Sequence, residues 1–472
     1  MGMLGAGKRL RRGLVAAAAA VILAAPAARA DNLADALISA YNTSGLLEQN
    51  RALLRAIDED YALSVSALRP IIDYTVSMGR SYSGSGTNNA TSLSRGSTAL
   101  TARLSLSWTI LDAGERFYGI EQARETVLAT RQDLLAIEQQ VLFRATAAYV
   151  NVLLQNDNVA LQRNNLRVLG EELRAAQDRF DVGEVTRTDV ALAEARVAAA
   201  RSNLSTAQGQ LMTAQAEYQA VIGRRALNLH GQPRLPAMPK SLEAAVQLAV
   251  RTHPSVLAAQ HKVKAAEHAV AVANSKLRPS LSIVADTSYS DDMTSSDFDK
   301  SASVGLQLKQ RIYQGGGIAA SVRRVMASRD ATRGALITTQ RDVVQGVNDA
   351  YVRLQVARAA FAASIEQVRA SQVAFDGIRE EATLGARTTL DVLAAEQELQ
   401  NAQTAQISAR AEESVAAYQL LAAQGLLTAE KLGLKVALYD PEAYYNMVKK
   451  APAAVSRQGK ELDRVLKRLG KE

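Results

Sequence analysis

Apolar residues recur at every seventh position over long stretches of the chain. One series of six positions runs from Ala145 to Phe180, and another of five positions runs from Val347 to Phe375. Shorter series with the same period occupy 47–68, 190–218 and 249–277. A seven-residue apolar repeat keeps one seam of a helix against a partner helix and imposes a left-handed supercoil. The pattern therefore predicts long helices that pack side by side.

Four other stretches alternate between apolar and polar residues with a period of two. They cover residues 72–78, 100–110, 281–289 and 302–312. This period is that of half-buried strands with one polar face, and about 10 residues suffice to cross a bilayer when a strand is tilted. The sequence thus predicts two hairpins, at 70–111 and 279–313, with polar loops at Ser81–Ser97 and Ser290–Lys300. Four strands cannot close a barrel alone, so several protomers must share one, because an open edge is not viable in lipid.

The chain contains two copies of one unit. The Leu-Arg-Pro segment at 68–70 recurs at 277–279, an offset of 209 positions. Downstream of the hairpins the offset becomes 202, which pairs Gly183 with Gly385. The seven-residue difference falls between 70 and 110, where the second copy must have a shorter loop. These two offsets predict that the halves of the chain share one architecture.

The repeat divides the chain into consecutive segments. The first repeat, 31–222, comprises a helix, a β-hairpin, a long helix over 114–180, a tip turn and a return helix. A proline-rich equatorial connection follows at 223–240. The second repeat, 241–425, has the same order, with its long helix over 316–384. Each long helix would extend ~100 Å, and two half-length helices placed end to end would match it.

The first thirty residues have the three parts of an export signal. A basic segment at 8–12 precedes an apolar segment at 14–25, and Ala28-Arg29-Ala30 forms a small-x-small cleavage site. The apolar segment is too short to span a bilayer as a helix. We therefore expect residues 1–30 to be a signal peptide. No cysteine follows it, so no lipid anchor is expected.

Composition excludes several classes of function. The 472 residues include no cysteine and only four histidines. This excludes disulfide scaffolds, iron–sulfur centres, thiolate zinc sites and cysteine nucleophiles. No motif for serine catalysis or phosphate binding is present. We expect neither an enzyme nor a cofactor or metal site.

The formal charge of +8 comes from the two ends of the chain. Residues 1–30 hold five basic residues and no acidic residue, and Lys449–Glu472 holds eight basic and three acidic residues. The body between them is slightly acidic, so the composition predicts no nucleic-acid-binding surface. We expect 426–472 to form a C-terminal equatorial and basic tail that is partly flexible.

The segment from Leu33 to about Gly425 resembles the TolC family of outer-membrane channel proteins. The resemblance depends on the duplicated plan, on Leu-Arg-Pro entering a strand, and on two tip turns, at 179–190 and 384–392. It also depends on the segments 111–114 and 313–316 that leave a strand. The resemblance implies a mixed α/β membrane protein. Its homotrimer would share a twelve-stranded outer-membrane barrel, continuous with a twelve-helix periplasmic tunnel.

The resemblance also implies roles for particular residues. Asp391 would belong to an inward-facing acidic ring at the periplasmic entrance, with Arg387 as a polar latch beside it and Asp189 at the equivalent turn. Ala394 occupies the position where the family often has a second aspartate. Helix N-capping is the alternative role for both aspartates, and we expect it less at Asp391. The adaptor-contacting positions would be Val182, Gly183, Glu184, Leu384, Gly385 and Ala386.

These features predict an export duct with no chemistry of its own. The implied partners are a periplasmic adaptor, an inner-membrane ABC or RND transporter, and outer-membrane lipid. The missing lipid anchor favours type I protein secretion, and drug or metal efflux with an RND pump is the alternative. The rival class is a periplasmic or surface coiled-coil protein without a pore, against which the four amphipathic strands argue.

Overall fold

The computed structural model describes residues 32–82, 84–87, 90–93, 96–226, 229, 231–453 and 455–468. The export signal predicted at 1–30 lies outside these residues. The chain forms two compact units. The first is assembled from the described residues of Met1–Thr43, Arg144–Leu235 and Val356–Ala416. The second is assembled from Ser44–Phe143, Pro236–Gln355 and the described residues of Ala417–Glu472.

The described residues are mostly helical. The helices are α1 (Leu33–Thr43), α2 (Gly45–Ser66), α3 (Glu115–Asp181), α4 (Arg187–Ile222), α5 (Leu242–Thr252), α6 (Pro254–Ser275), α7 (Gly317–Thr383), α8 (Thr389–Ala423), α9 (Pro441–Val448) and α10 (Arg457–Arg468). The strands are β1 (Ile71–Ser81), β2 (Gly84–Thr87), β3 (Ala90–Leu93), β4 (Ser97–Leu111), β5 (Ser280–Asp292) and β6 (Phe298–Lys309). None of the described helices is long and apolar enough to cross a membrane.

The helical seams contain alanine as well as the larger apolar residues. In α4, Val197 and Tyr218 of the predicted seven-residue series are buried. A second buried series with the same period consists of Ala193, Ala200, Ala207 and Ala214. Small residues at alternate seam positions allow neighbouring helices to approach closely.

The helix that precedes each hairpin is broken once, which the sequence pattern did not predict. Ser44 separates α1 from α2, and its hydroxyl accepts a hydrogen bond from the N–H of Leu47 at 3.3 Å. His253 separates α5 from α6, and Pro254 opens α6. Proline lacks a backbone N–H and suits the first turn of a helix. Because Ser44 and His253 are 209 positions apart, the break belongs to both repeats.

The main sheet has one apolar face. Its strands pair antiparallel in the order β1-β4-β5-β6. Leu106 lies opposite Ile72 on β1 and opposite Ala285 on β5, and Leu281 of β5 lies opposite Leu308 of β6. Directly opposite residues project from the same face of a sheet. Apolar side chains from all four strands therefore share one face, and serine, threonine and a few charged residues dominate the other.

The prediction of only four strands is wrong for the loop at 81–97. This loop contains a separate two-stranded ladder in which β2 and β3 pair antiparallel, with Thr87 opposite Ala90. Strand pairing satisfies backbone N–H and C=O groups whether or not the segment has an apolar face. The period-two criterion detects only strands that have such a face, and so it missed these two.

The segment after 426 includes two helices that the sequence pattern did not predict. Tyr444 and Val448 of α9 form an apolar cluster with Ala62 of α2, and leucines of α10 pack against it. The hydroxyl of Tyr444 donates a hydrogen bond to the carboxylate of Glu59 at 2.6 Å. These contacts attach the basic tail to the second unit.

Candidate functional site

The first tip turn ends α3 with a left-handed glycine. Gly183 has a φ of 81°, a conformation that residues with a Cβ rarely adopt. Its N–H donates to the carbonyl of Phe180 at 2.9 Å, and the N–H of Glu184 donates to the carbonyl of Arg179 at 2.9 Å. This pair of bonds is the Schellman motif, which satisfies the last carbonyls of a helix.

The second tip turn repeats this geometry 202 positions later. Gly385 has a φ of 78°, and its N–H donates to the carbonyl of Ala382 at 3.1 Å. The N–H of Ala386 donates to the carbonyl of Glu381 at 2.9 Å. The two turns are thus built by the same backbone hydrogen bonds, as the repeat predicts.

Asp189 and Asp391 both complete a capping box at the start of the return helix. The carboxylate of Asp189 accepts from the N–H of Thr186 at 2.9 Å and from its hydroxyl at 2.7 Å. The carboxylate of Asp391 accepts from the N–H of Thr388 at 3.0 Å and from its hydroxyl at 2.8 Å. Each threonine hydroxyl is also the acceptor for the aspartate N–H. Thr186 and Thr388 are thus the N-cap residues, and each aspartate takes part in the cap as the third residue of the helix. The capping role that we expected less at Asp391 is therefore present there as well as at Asp189.

The same bonds hold both aspartates in the charged form. Hydrogen bonds from the hydroxyl and the backbone N–H of Thr186 lower the pKa of Asp189. Hydrogen bonds from the backbone N–H and the hydroxyl of Thr388 lower the pKa of Asp391, and nearby Arg387 lowers it further. A carboxylate with a lowered pKa remains charged as the solution becomes mildly acidic. Each turn therefore carries one persistent negative charge.

Arg387 joins the second turn to the end of α7. Its Nε donates to the carboxylate of Glu381 at 2.8 Å, and both side chains are about half exposed. This bond raises the pKa of the Arg387 guanidinium above its usual range. The first repeat has no equivalent pair, because the position 202 residues earlier is Val185.

The two turns lie side by side in the first unit, and their residues line a solvent-exposed groove of about 560 Å³. Asp189 and Thr186 line it from the first turn, and Arg387 and Thr388 line it from the second. Asp391 does not line this groove. The structure therefore brings Asp189 and Arg387 to one surface, and Asp391 belongs to the same turn as Arg387 but not to the groove.

The residues predicted to contact an adaptor are exposed in this chain. Val182 and Leu384 occupy equivalent positions before the two glycines, and their side chains are 72% and 81% exposed. Glu184, Gly183, Gly385 and Ala386 are also exposed. These two exposed side chains lie on adjoining turns and form a small apolar patch, the kind of surface that marks a protein–protein contact.

Sequence reasoning missed a buried carboxyl near the turns. Glu396 of α8 is 7% exposed, and burial raises its pKa to about 7, an effect that Arg196 opposes and Glu172 reinforces. Glu172 is itself 3.1 Å from the guanidinium of Arg379. The only sequence signal was the pairing of Glu396 with Glu194 by the repeat, and Glu194 is exposed. Among the described residues, no group of histidine and acidic side chains could hold a metal ion.

Comparison with known proteins gives the family. The sequence matches the profile of the outer membrane efflux protein family over residues 36–224 and 245–426. It is 35% identical over 443 residues to the outer membrane efflux protein BepC of Brucella suis biovar 1 (strain 1330), a match that covers 92% of this chain and 95% of BepC. It is 26% identical over 393 residues to the alkaline protease secretion protein AprF of Pseudomonas aeruginosa, covering 79% of this chain and 81% of AprF.

A solved structure supports the same fold. The outer membrane protein VceC of Vibrio cholerae superimposes with a TM-score of 0.72 at 18% identity, covering 83% of this chain and 96% of VceC. At that identity the similarity shows the fold alone. The family profile covers most of the chain, and the match to BepC extends over nearly all of it. The chain therefore belongs to the outer membrane efflux protein family of TolC-like channels, which act in the outer membrane and are not enzymes.

Proposed function

We propose that three copies of this chain form one export duct. The duct comprises a twelve-stranded barrel in the outer membrane and a twelve-helix tunnel in the periplasm. It receives substrate from an inner-membrane transporter through a periplasmic adaptor and releases it outside the cell. The protein supplies the passage, and the transporter supplies the energy.

The observation that carries this proposal is the four-stranded sheet with one apolar face and two free edges. The apolar face suits contact with lipid, and the serine- and threonine-rich face suits a water-filled lumen. Both edge strands, β1 and β6, are exposed along their whole length in the single chain. Unpaired backbone groups at such edges are not tolerated in lipid. Closure by further copies of the chain removes every free edge.

The two tip turns are the proposed entrance. Asp391 contributes to an acidic ring, and the Arg387–Glu381 pair holds the closed state of the second turn. Val182 and Leu384 are the proposed contacts for the adaptor, together with the turn residues Gly183, Glu184, Gly385 and Ala386. Exposed ion pairs are individually weak, about 0–1 kcal/mol each. Contact with an adaptor can therefore supply enough free energy to open the turns.

The proposed cargo is protein exported by type I secretion with an ABC transporter. Two observations support it: no cysteine follows the predicted signal, and AprF, a relative over most of the chain, is a protease secretion protein. The second candidate is drug or metal efflux with an RND transporter, which is favoured by the higher identity to BepC, an efflux protein.

A deletion strain tests the proposed function. We expect loss of one or more proteins from the culture medium, restored by the intact gene but not by a copy with Val76→Pro, which removes a backbone donor within β1. Increased sensitivity to drugs or metals with an unchanged set of secreted proteins would favour the RND alternative. Purified protein should also conduct ions in planar bilayers. A strain without any export phenotype, with purified protein that does not conduct, would contradict the duct.

A further inference from the structure

The basic residues of the C-terminal helix α10 lie on one face of that helix. Arg457, Lys460, Arg464 and Lys467 follow one another at intervals of three or four residues, and all four are exposed. Residues with this spacing lie on the same side of an α-helix. These four side chains therefore form one row along α10, which we call the basic stripe.

The apolar face of α10 is already covered by the second unit. Leu462 and Leu466 pack against the cluster that Ala62, Tyr444 and Val448 form. This contact attaches the helix to α2 and α9 with the basic stripe on its outer side. The surface that α10 offers to a partner is therefore the charged one.

Most of the charge on the basic stripe is not balanced by the protein. Arg457 is 3.3 Å from Glu461, and this ion pair is exposed. In the part of the chain that the structure describes, Lys460, Arg464 and Lys467 form no ion pair. Like charges at neighbouring helix positions repel one another. An anionic partner would relieve this repulsion, so the stripe is suited to binding one.

A separate contact places α10 beside the start of β1. The guanidinium of Arg69 donates hydrogen bonds to the backbone carbonyls of Lys450 and Ala451, between α9 and α10. Strand β1 begins two residues after Arg69, at Ile71. Ala62, against which α10 packs, precedes Arg69 by seven residues, about 11 Å of helix. Helix α10 therefore lies close to one end of the main sheet.

This end of the sheet has a feature typical of a membrane boundary. The indole N–H of Trp108 in β4 donates to the carbonyl of Leu68 at 3.0 Å, and the side chain is partly exposed. Tryptophan is enriched at the level of lipid headgroups, because its ring is apolar and its N–H is polar. In the proposed barrel, this end of the sheet is at the periplasmic boundary of the outer membrane.

We propose that the basic stripe binds the anionic headgroups of phospholipids in the periplasmic leaflet of the outer membrane. Lysine and arginine side chains donate charge-assisted hydrogen bonds to phosphate oxygens. The stripe extends for about 15 Å, which suits a charged surface better than a single small anion. The inference rests on the proposed barrel, which places the main sheet in the membrane, and it gives the basic tail a role of its own.

Hydrogen exchange of the full chain in lipid nanodiscs tests the proposal. One set of nanodiscs contains phosphatidylcholine alone, and the other also contains about one third phosphatidylglycerol. Each lysine or arginine beside an anionic membrane strengthens binding about fivefold. The amides of 457–467 should therefore exchange about fivefold or more slowly when phosphatidylglycerol is present. A salt concentration of about 1 M should remove the difference, because it screens charges beyond about 3 Å.

A variant of the basic stripe separates its charge from the attachment of α10. The substitutions are Lys460→Gln, Arg464→Gln and Lys467→Gln, which leave Leu462 and Leu466 in place. In phosphatidylcholine, we expect the variant to exchange at the wild-type rate, since the apolar contact is intact. The slower exchange in phosphatidylglycerol should be lost.

The matched control removes three exposed basic residues from α3 and α4 in the first unit. Its substitutions are Arg163→Gln, Arg174→Gln and Arg201→Gln. The net charge of the chain falls by the same amount as in the stripe variant. We expect α10 of the control to keep the wild-type response to phosphatidylglycerol. Loss of that response in the control as well would show an effect of net charge and would overturn the stripe.

The outcomes distinguish lipid binding from the proposed duct. Equal exchange of wild-type α10 in the two nanodiscs, in protein that conducts ions, would overturn lipid binding and leave the duct. Slower exchange that requires added peptidoglycan fragments would assign the stripe to an acidic glycan and would also overturn lipid binding. Protein of single-chain mass that does not insert into nanodiscs would overturn the barrel, and this inference with it.

Discussion

At the scale of single residues, the two tip turns differ in only a few side chains. Both have a left-handed glycine, a capping threonine and a capping aspartate, with equivalent hydrogen bonds. The difference is that the second turn has Arg387 paired with Glu381, whereas the first has Val185. If only the second turn controls the entrance, two features can distinguish it from the first turn. One is the Arg387–Glu381 pair, and the other is the direction in which each aspartate points in the assembly.

The proposed acidic ring predicts a specific effect of Asp391→Asn. Asparagine keeps a side-chain oxygen that can accept from Thr388, so the helix cap remains while the charge is removed. We expect a lower preference for cations in single-channel recordings. Because its hydrogen bonds lower the pKa of Asp391, the wild-type preference should persist from pH 7 down to about pH 5.

The matched control for that variant is Asp189→Asn, which removes the same charge from the same kind of cap. If Asp391 alone lines the axis, the control should retain most of the wild-type selectivity. If neither variant alters the selectivity, the ring is formed by other residues.

The latch predicts that Arg387→Ser and Glu381→Gln have the same effect. Each removes one partner of the 2.8 Å pair, so each should loosen the second turn and increase the mean conductance. Arg369→Ser is a control, since Arg369 forms a comparable exposed pair with Glu366 within α7. Unchanged conductance in both latch variants would exclude a gating role for this pair.

At this scale the sequence predicted the turns but not their surroundings. Glycine, threonine and aspartate at fixed spacing give the turn and the cap, because these interactions are local. Glu396 could not be predicted, since its burial results from side chains of α3 and α4 that are distant in sequence. The seven-residue series found in the sequence do not extend into α8, so they did not indicate that a carboxyl of this helix is covered.

At the scale of elements, seven-residue periodicity predicted the helices and missed their breaks. The series at 47–68 starts just after Ser44, which caps a new helix. The series at 249–277 continues without interruption through Pro254, although a new helix begins at that residue. A capping side chain forms hydrogen bonds with backbone groups that would otherwise belong to a further helical turn. The pattern of apolar residues contains no information about such bonds, so it cannot predict where a helix is broken. The tail helix α9 was missed because it has only eight residues.

Packing of α8 against its neighbours predicts a pH-dependent stability. Burial raises the pKa of Glu396 from 4.5 to about 7, so the folded protein binds this proton more tightly than the unfolded chain. Stability from this group is present below about pH 4.5 and is lost as the pH rises to 7. Glu396→Gln should therefore be more stable than wild type at pH 8, by about 3 kcal/mol, and the difference should shrink to about 1 kcal/mol at pH 5.

Thermal unfolding followed by circular dichroism at both pH values would measure this effect. Glu194→Gln is the matched control, because Glu194 is the exposed counterpart of Glu396 and should show little difference at either pH. Equal melting temperatures of wild type and Glu396→Gln at pH 8 would contradict the buried carboxyl.

At the scale of the whole molecule, the sequence predicted the repeat and the two hairpins that form the main sheet. The apolar face predicted from the period-two stretches is continuous across β1, β4, β5 and β6. Family membership removes the alternative of a coiled-coil protein without a pore. The number of subunits could not be derived from one chain, since a free edge indicates that something must pair with it and not how many copies do.

The central claim is that several copies close a single sheet into a conducting barrel. Native mass spectrometry of the detergent-purified protein tests it most directly, with conductance of the same sample in a planar bilayer. We predict particles with the mass of three chains, and conductance that is lost when the trimer dissociates. Particles of single-chain mass that retain their strand content and still conduct would contradict the claim.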